Sequence, residues 1–299
     1  MLCDTKFAMK IIRAHHLGMC FGVRNAIALA LQQAANNPLT ILGDLVHNET
    51  VLEELRRNGV RIERKLEDVK TPHLMITAHG ASNRTINAAR ERGFQVTEAT
   101  CPLVHYAHQA LARLVADGFY PVVIGQRQHV EVRGLTGDLE EYNIVLNEDD
   151  ILELPAKKRY GVVAQTTQPL ERVRQLAELI GRRFPDAEVR LVDTVCKPTK
   201  QRQAAAVELA RQCNAVVVVG GANSNNTREL VSACARYCPR VYHIQTAADL
   251  QPGWFHDTDV VGLTAGTSTP DNVIDEVEAR LREWNAPRAA EAEPAASAS

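Results

Sequence analysis

Six short runs of Val, Ile and Leu in this chain each end in a polar loop. They are LTILGDLVHN (39–48), LMITAHGAS (74–82), YPVVIGQRQHVEV (120–132), YGVVAQTTQ (160–168), NAVVVVGGANSNN (214–226) and DVVGLTAGTSTP (259–270). Between them lie amphipathic helical patterns, and that alternation implies βαβ units and parallel sheets. The runs are almost continuously apolar, as strands covered on both faces should be. Ligands of such sheets bind beyond the carboxyl ends of the strands. Function is therefore expected in the six loops.

The loops come in pairs, and each pair follows a cysteine. Cys20 lies 27 residues before His47, Cys101 lies 28 before His129, and Cys196 lies 28 before Ser224. The second loops carry His79, Thr166 and Ser268. Between the two loops, each third holds a helix, a short strand and an acidic patch: LEDVK (66–70), NEDDILEL (147–154) and TAADL (246–250). A period of roughly ninety residues points to three similar small α/β domains. Their expected spans are 10–99, 100–194 and 195–284, with a disordered Ala/Glu/Pro/Ser tail over 285–299.

Each of the three cysteines opens a helix, and Pro102 and Pro198 suit a first helical turn, where the missing N–H costs nothing. A helix N-terminus favours a thiolate and so makes a better metal ligand. A single free cysteine is more often a small buried hydrophobe, and Cys213, Cys234 and Cys238 are read that way. Equivalent positions in three repeats, by contrast, would meet at one centre. Three thiolates there could hold zinc or an iron–sulfur cluster, and the spacing alone fits both. Either would keep one metal position open for chemistry.

A net charge of −2 excludes a general nucleic-acid or membrane-surface binder, since no basic field gathers phosphates from a distance. No stretch is long and apolar enough to span a membrane, and the N-terminus lacks the apolar core of a secretory signal. Seven cysteines without secretory context point to the reducing cytoplasm.

The loop residues are histidines, hydroxyls and amides: His47, His79, His129, Thr166, Thr167, the NSNN run over 223–226, and TSTP over 267–270. Singly these are caps and turns. Six sets at equivalent places suit a compact polyanion held in a hollow between three domains. Glu131 would repel such a ligand, so it is assigned to proton delivery, directly or through a hydroxyl such as Thr166. Neither a dinucleotide fingerprint nor a P-loop is present. Redox chemistry would therefore draw electrons from an outside protein. The charged run RIERKLEDVK (61–70) reads as a solvated face.

The motifs GMCFGV, LVHN, AHGAS, ATCPLV, HVEV, QTT, NSNN and TAGTSTPD, in this order from about Lys10 to Trp284, resemble the 4-hydroxy-3-methylbut-2-enyl diphosphate reductase family, also called IspH or LytB. The resemblance implies a pseudo-threefold cloverleaf of α/β domains around a 4Fe–4S cluster held by Cys20, Cys101 and Cys196. It implies that His47, His79, His129, Ser224, Asn225, Asn226 and Ser268 surround the substrate diphosphate. Glu131 would supply protons, and Thr166 would hold the substrate hydroxyl. The implied reaction removes an allylic hydroxyl with two electrons and two protons, giving isopentenyl and dimethylallyl diphosphates in the non-mevalonate (MEP) pathway. A ferredoxin- or flavodoxin-type protein would donate the electrons.

The chain departs from the family pattern at Val130, Arg133, Asn225 and the run CKPTKQRQ (196–203). Asn225 is expected to alter one phosphate contact. Arg133 is expected to place positive charge near Glu131 and lower its proton affinity. These departures keep an alternative open: a related iron–sulfur reductase, or a sensor, for a different phosphorylated allylic alcohol.

Overall fold

The structure is a computed structural model that describes residues 9–285. The first repeat runs β1 (Lys10–Arg13), α1 (Phe21–Asn36), β2 (Leu39–Leu42), α2 (Glu49–Arg57), β3 (Arg61–Glu63), β4 (His73–Ile76), α3 (Asn83–Glu91) and β5 (Gln95–Glu98). The second runs α4 (Pro102–Ala116), β6 (Tyr120–Ile124), α5 (Val130–Thr136), β7 (Asn143–Val145), α6 (Glu148–Leu152), β8 (Arg159–Ala164), α7 (Leu170–Arg183) and β9 (Glu188–Leu191). The third runs α8 (Lys197–Arg211), β10 (Ala215–Val219), α9 (Asn225–Ala235), β11 (Val241–Ile244), β12 (Val260–Ala265) and α10 (Asp271–Asn285). The expected tail beyond Asn285 lies outside the described residues.

These strands form three four-stranded sheets in the orders β3-β2-β4-β5, β7-β6-β8-β9 and β11-β10-β12-β1. Every pairing is parallel. The α/β class and the threefold repetition read from the sequence are both present. One boundary differs. Lys10–Arg13 falls in the expected first domain, yet it pairs with β12, from Lys10 opposite Val260 to Arg13 opposite Leu263. The reason is a hand-over rule: the strand before each cysteine closes the edge of the preceding sheet. β5 does this before Cys101 and β9 before Cys196. The third sheet receives its edge strand from the N-terminus, so the cloverleaf closes on itself.

Each cysteine helix then packs on the sheet that follows it. Ala26 and Ala30 of α1 lie against Leu39 and Ile41. Leu111 and Leu114 of α4 lie against Val123 and Val163, and Leu209 of α8 against Val216 and Val218. Each fully buried leucine contributes about 1.5–3 kcal/mol. Glycines let the helices settle closely: a Cβ at Gly161 would come within 2.8 Å of Leu114, and one at Gly262 within 2.8 Å of Leu209.

Cys234 and Cys238 are buried in this third core, with Cys213 packed against it. Burial pushes the Cys213 thiol up to about 11 and the Cys234 thiol up to about 12, which suits inert packing groups. No helix among the described residues is long and apolar enough to cross a membrane.

Candidate active site

The three singled-out cysteines are each the residue immediately before a helix: Cys20 for α1, Cys101 for α4 and Cys196 for α8. Their backbone N–H groups are anchored alike, each to the second loop of the preceding sheet. Cys101 donates to Ala78 O at 3.1 Å, Cys196 to Thr166 O at 3.0 Å and Cys20 to Thr267 O at 3.0 Å. The hand-over of edge strands therefore delivers every cysteine to the centre, where all three line one hollow. Contacts between domains tighten it. A Cβ at Gly22 would lie 2.5 Å from Cys101 Sγ, so only glycine lets the first turn of α1 approach that sulfur.

Helix ends do favour thiolates, as expected, but burial outweighs them. The Cys101 thiol is raised by desolvation against the amides of Leu103 and Val104. The Cys196 thiol is pushed up to about 11, with the Thr199 hydroxyl and amide opposing. Cys196 Sγ lies 3.1 Å from Thr199 Oγ1. Protonated thiols so placed need a bound cation to become thiolates.

Arg202 of α8, which sequence reasoning missed, bears on the same question. Its side chain is 7% exposed, and it donates from Nε and Nη2 to Gly18 O at 2.9 and 2.6 Å and from Nη1 to Pro198 O at 3.2 Å. No carboxylate pairs with it among the described residues; burial works against its charge, and negative charge on Cys20 and Cys196 would oppose that effect. A buried guanidinium requires a nearby anion. Deprotonated Cys20 and Cys196 would serve, so this donor set fits a thiolate-held metal centre.

Glu131 on α5 is 1% exposed, and burial pushes its carboxyl up to about 7. It accepts from Thr166 N at 2.6 Å and from Thr166 Oγ1 at 3.0 Å. The expected influence of Arg133 is corrected here. Desolvation dominates at Glu131, while the Arg133 charge acts on His129 instead.

On the loop side of the hollow, His47 and His79 stack with ring centroids 4.3 Å apart, and His129 stands edge-on to them at 5.1 and 5.5 Å. One ligand atom from each lies within 4.8 Å of the others, close enough for a shared cation. Burial depresses all three imidazoles, His129 to about 3 and His79 well below its ordinary value, and mutual repulsion adds to the effect at His79 and His129. His129 Nδ1 accepts from Glu131 N at 3.2 Å, which leaves Nε2 as its N–H donor.

Ser224, Asn226 and Ser268 line the same hollow. Asn226 Oδ1 accepts from Thr267 N at 3.0 Å, while its Nδ2 and the Nδ1 atoms of His47 and His79 are buried without a protein partner. The unpartnered Asn226 amide is a donor, and the neighbouring imidazoles can take up protons, so the set suits an anion. A bound polyanion would also raise the depressed imidazoles toward their charged form.

Asn225 lines the hollow, but its amide is committed elsewhere. Oδ1 accepts from Gln126 Nε2 at 2.7 Å, and Nδ2 donates to Thr167 Oγ1 at 3.0 Å and Thr167 O at 3.2 Å. Arg228 donates to Gln126 Oε1 at 2.9 Å, and Arg172 of α7 pairs with Glu229 of α9 at 2.8 Å. The second and third domains are thus latched beside the hollow. Gln126, Thr199 and Arg202 were not singled out in the sequence; for Thr199 the available signal is its place three residues after Cys196 on the same helix face.

The LytB protein family matches residues 11–282 of the chain. A 4-hydroxy-3-methylbut-2-enyl diphosphate reductase from Pelobacter propionicus is 38% identical, covering 93% of this chain and 99% of its own length. The protein of that name from Aquifex aeolicus is 36% identical over 91% and 96% of the two chains. Among solved structures, the E-1-hydroxy-2-methyl-but-2-enyl-4-diphosphate reductase of Plasmodium falciparum superposes with a TM-score of 0.85 at 25% identity, covering 91% of this chain and 87% of that one. A second, described as (E)-4-hydroxy-3-methyl-but-2-enyl diphosphate reductase, the terminal enzyme of the non-mevalonate pathway, has a TM-score of 0.67 at 35% identity over 92% and 99%.

Proposed function

The chain belongs to the LytB protein family, and on that premise we propose that it is a 4-hydroxy-3-methylbut-2-enyl diphosphate reductase. The reaction is the last step of the non-mevalonate isoprenoid route. It consumes the allylic alcohol, two electrons and two protons, and yields isopentenyl or dimethylallyl diphosphate and water. The observation that carries this reading is convergence: three cysteines, the Glu131–Thr166 pair and the His, Ser and Asn donors share one hollow.

Cys20, Cys101 and Cys196 would hold a 4Fe–4S cluster, one sulfur from the start of each domain. When bound, the cluster supplies electron storage and an iron without a protein thiolate, which can act as a Lewis acid. The protein residues do the rest. His47, His79, His129, Ser224, Asn226 and Ser268 bind the diphosphate and fix the reacting carbon in place. Asn225 acts at one remove, holding the Thr167 loop against α9. Thr166 orients the substrate hydroxyl, and the buried Glu131, raised to about 7, can still carry a proton near neutral pH and release it toward the departing oxygen. Electrons come from a ferredoxin- or flavodoxin-type protein, and the free cysteines suit a reducing cytoplasm.

The test is anaerobic turnover of the hydroxylated diphosphate with a strong one-electron reductant. Product formation that is abolished in Cys101→Ser supports the reading; binding of the substrate without any turnover by the intact holoenzyme contradicts it.

A further inference from the structure

Outside the histidine ring lies a second, open cavity of about 880 Å³, which shares His47 and His129 with the inner hollow. Its wall carries Arg64, Lys65, Arg133 and Arg228. All four side chains are exposed, and none is in an ion pair among the described residues. Arg228 donates only to the neutral Gln126 amide, at 2.9 Å. Asp44 is the single carboxylate on the wall.

This charge is not the background of the molecule, in which 36 acidic residues outnumber 34 basic ones. It is also assembled from all three repeats. Arg64 and Lys65 follow β3 in the charged run over 61–70, Arg133 sits on α5 and Arg228 on α9. Like charges gathered without partners repel one another, so the fold gains nothing by collecting them here. Their field reaches the inner ring: burial is the main cause that lowers His47 and His129, Arg228 adds to it at both and Arg133 at His129, while Asp44 opposes it at His47.

We infer that the outer cavity is an anion antechamber, which gathers a diphosphate monoester from solvent and presents its phosphate end to His47 and His129. The inference rests on the reading of the inner hollow as a diphosphate site. Clefts lined by one sign of charge focus field lines and raise association rates by about 10- to 1,000-fold, an effect that fades with salt. The antechamber thereby supplies long-range attraction that the chain as a whole, with its net charge of −2, lacks.

The test measures association of inorganic diphosphate with the holoenzyme by rapid mixing, across a range of ionic strength. At low salt the triple variant Arg64→Gln, Lys65→Gln, Arg133→Gln should associate on the order of 10- to 100-fold more slowly than the wild type. The two should converge near 1 M salt, where the screening length is about 3 Å. Asp44→Asn should shift the low-salt rate the opposite way. Equal rates and equal salt slopes in wild type and triple variant overturn the antechamber alone. Failure of the wild type to bind diphosphate overturns it together with the reading of the inner site.

Discussion

Glu131 and Thr166 are joined at two points: the threonine N–H meets Oε1 at 2.6 Å and its hydroxyl meets Oε2 at 3.0 Å. Both bonds favour the carboxylate, yet burial wins and holds the group at about 7. An acid with that value keeps its proton below neutrality and loses it above. Turnover that needs the protonated form should therefore fall by about tenfold per pH unit well above pH 7. Glu131→Gln should lower kcat by about 100- to 10,000-fold while diphosphate still binds. A kcat that is flat from pH 6 to 9, or a fully active Gln variant, would remove Glu131 from the chemistry.

Gly22 is the next sensitive point. Its missing Cβ would stand 2.5 Å from Cys101 Sγ, and a sulfur engaged to a metal cannot move aside. Gly22→Ala should cost about 1–3 kcal/mol of stability through overpacking. It should also lower iron content per chain, read by metal analysis of anaerobic protein. Full iron loading in that variant would mean Cys101 has more room than the structure gives it.

Asn225 is predicted to act between domains. Asn225→Ala leaves Gln126 Nε2 without its acceptor and the Thr167 carbonyl without its donor, while Thr167 Oγ1 keeps Gln165 Nε2, a loss of about 1–3 kcal/mol. Hydrogen exchange should quicken in the loop around Gln126 and Thr167. Exchange that stays at the wild-type rate would put the latch elsewhere.

Arg202 should tune the centre electrically. Its buried charge faces Cys20 and Cys196 and holds the Gly18 carbonyl, where the chain turns with φ +72°. Arg202→Met removes positive charge beside the proposed cluster and should move its reduction potential negative, with partial rescue by Arg202→Lys. An unchanged potential in both variants would leave Arg202 a purely structural group.

Much of this arrangement was legible in the sequence. The recurrence of cysteine, first loop and second loop marked three repeats, and a parallel sheet dictates that such loops gather at strand ends. All twelve expected site residues line the one hollow. The short run KIIR could not announce its partner, because two apolar residues between two charged ones fit the edge of any parallel sheet and only the closed threefold arrangement seats them beside β12. The bonds that Asn225 makes were hidden for a related reason. A motif position says which loop a side chain occupies, whereas its bonds to Gln126 and Thr167 depend on how two domains meet. The run over 61–70 looked like a solvated face, and it is exposed; what its pattern could not tell is that Arg64 and Lys65 border a cavity leading to His47.

The most direct measurement of the central claim is iron and acid-labile sulfide analysis of protein purified without oxygen, alongside single Cys→Ser variants. The account predicts a brown protein with about four iron and four sulfide per chain. It also predicts that Cys20→Ser, Cys101→Ser and Cys196→Ser each lose that content, whereas Cys213→Ser and Cys234→Ser keep it. A colourless wild type carrying stoichiometric zinc, or a cluster indifferent to the three site cysteines, would contradict it.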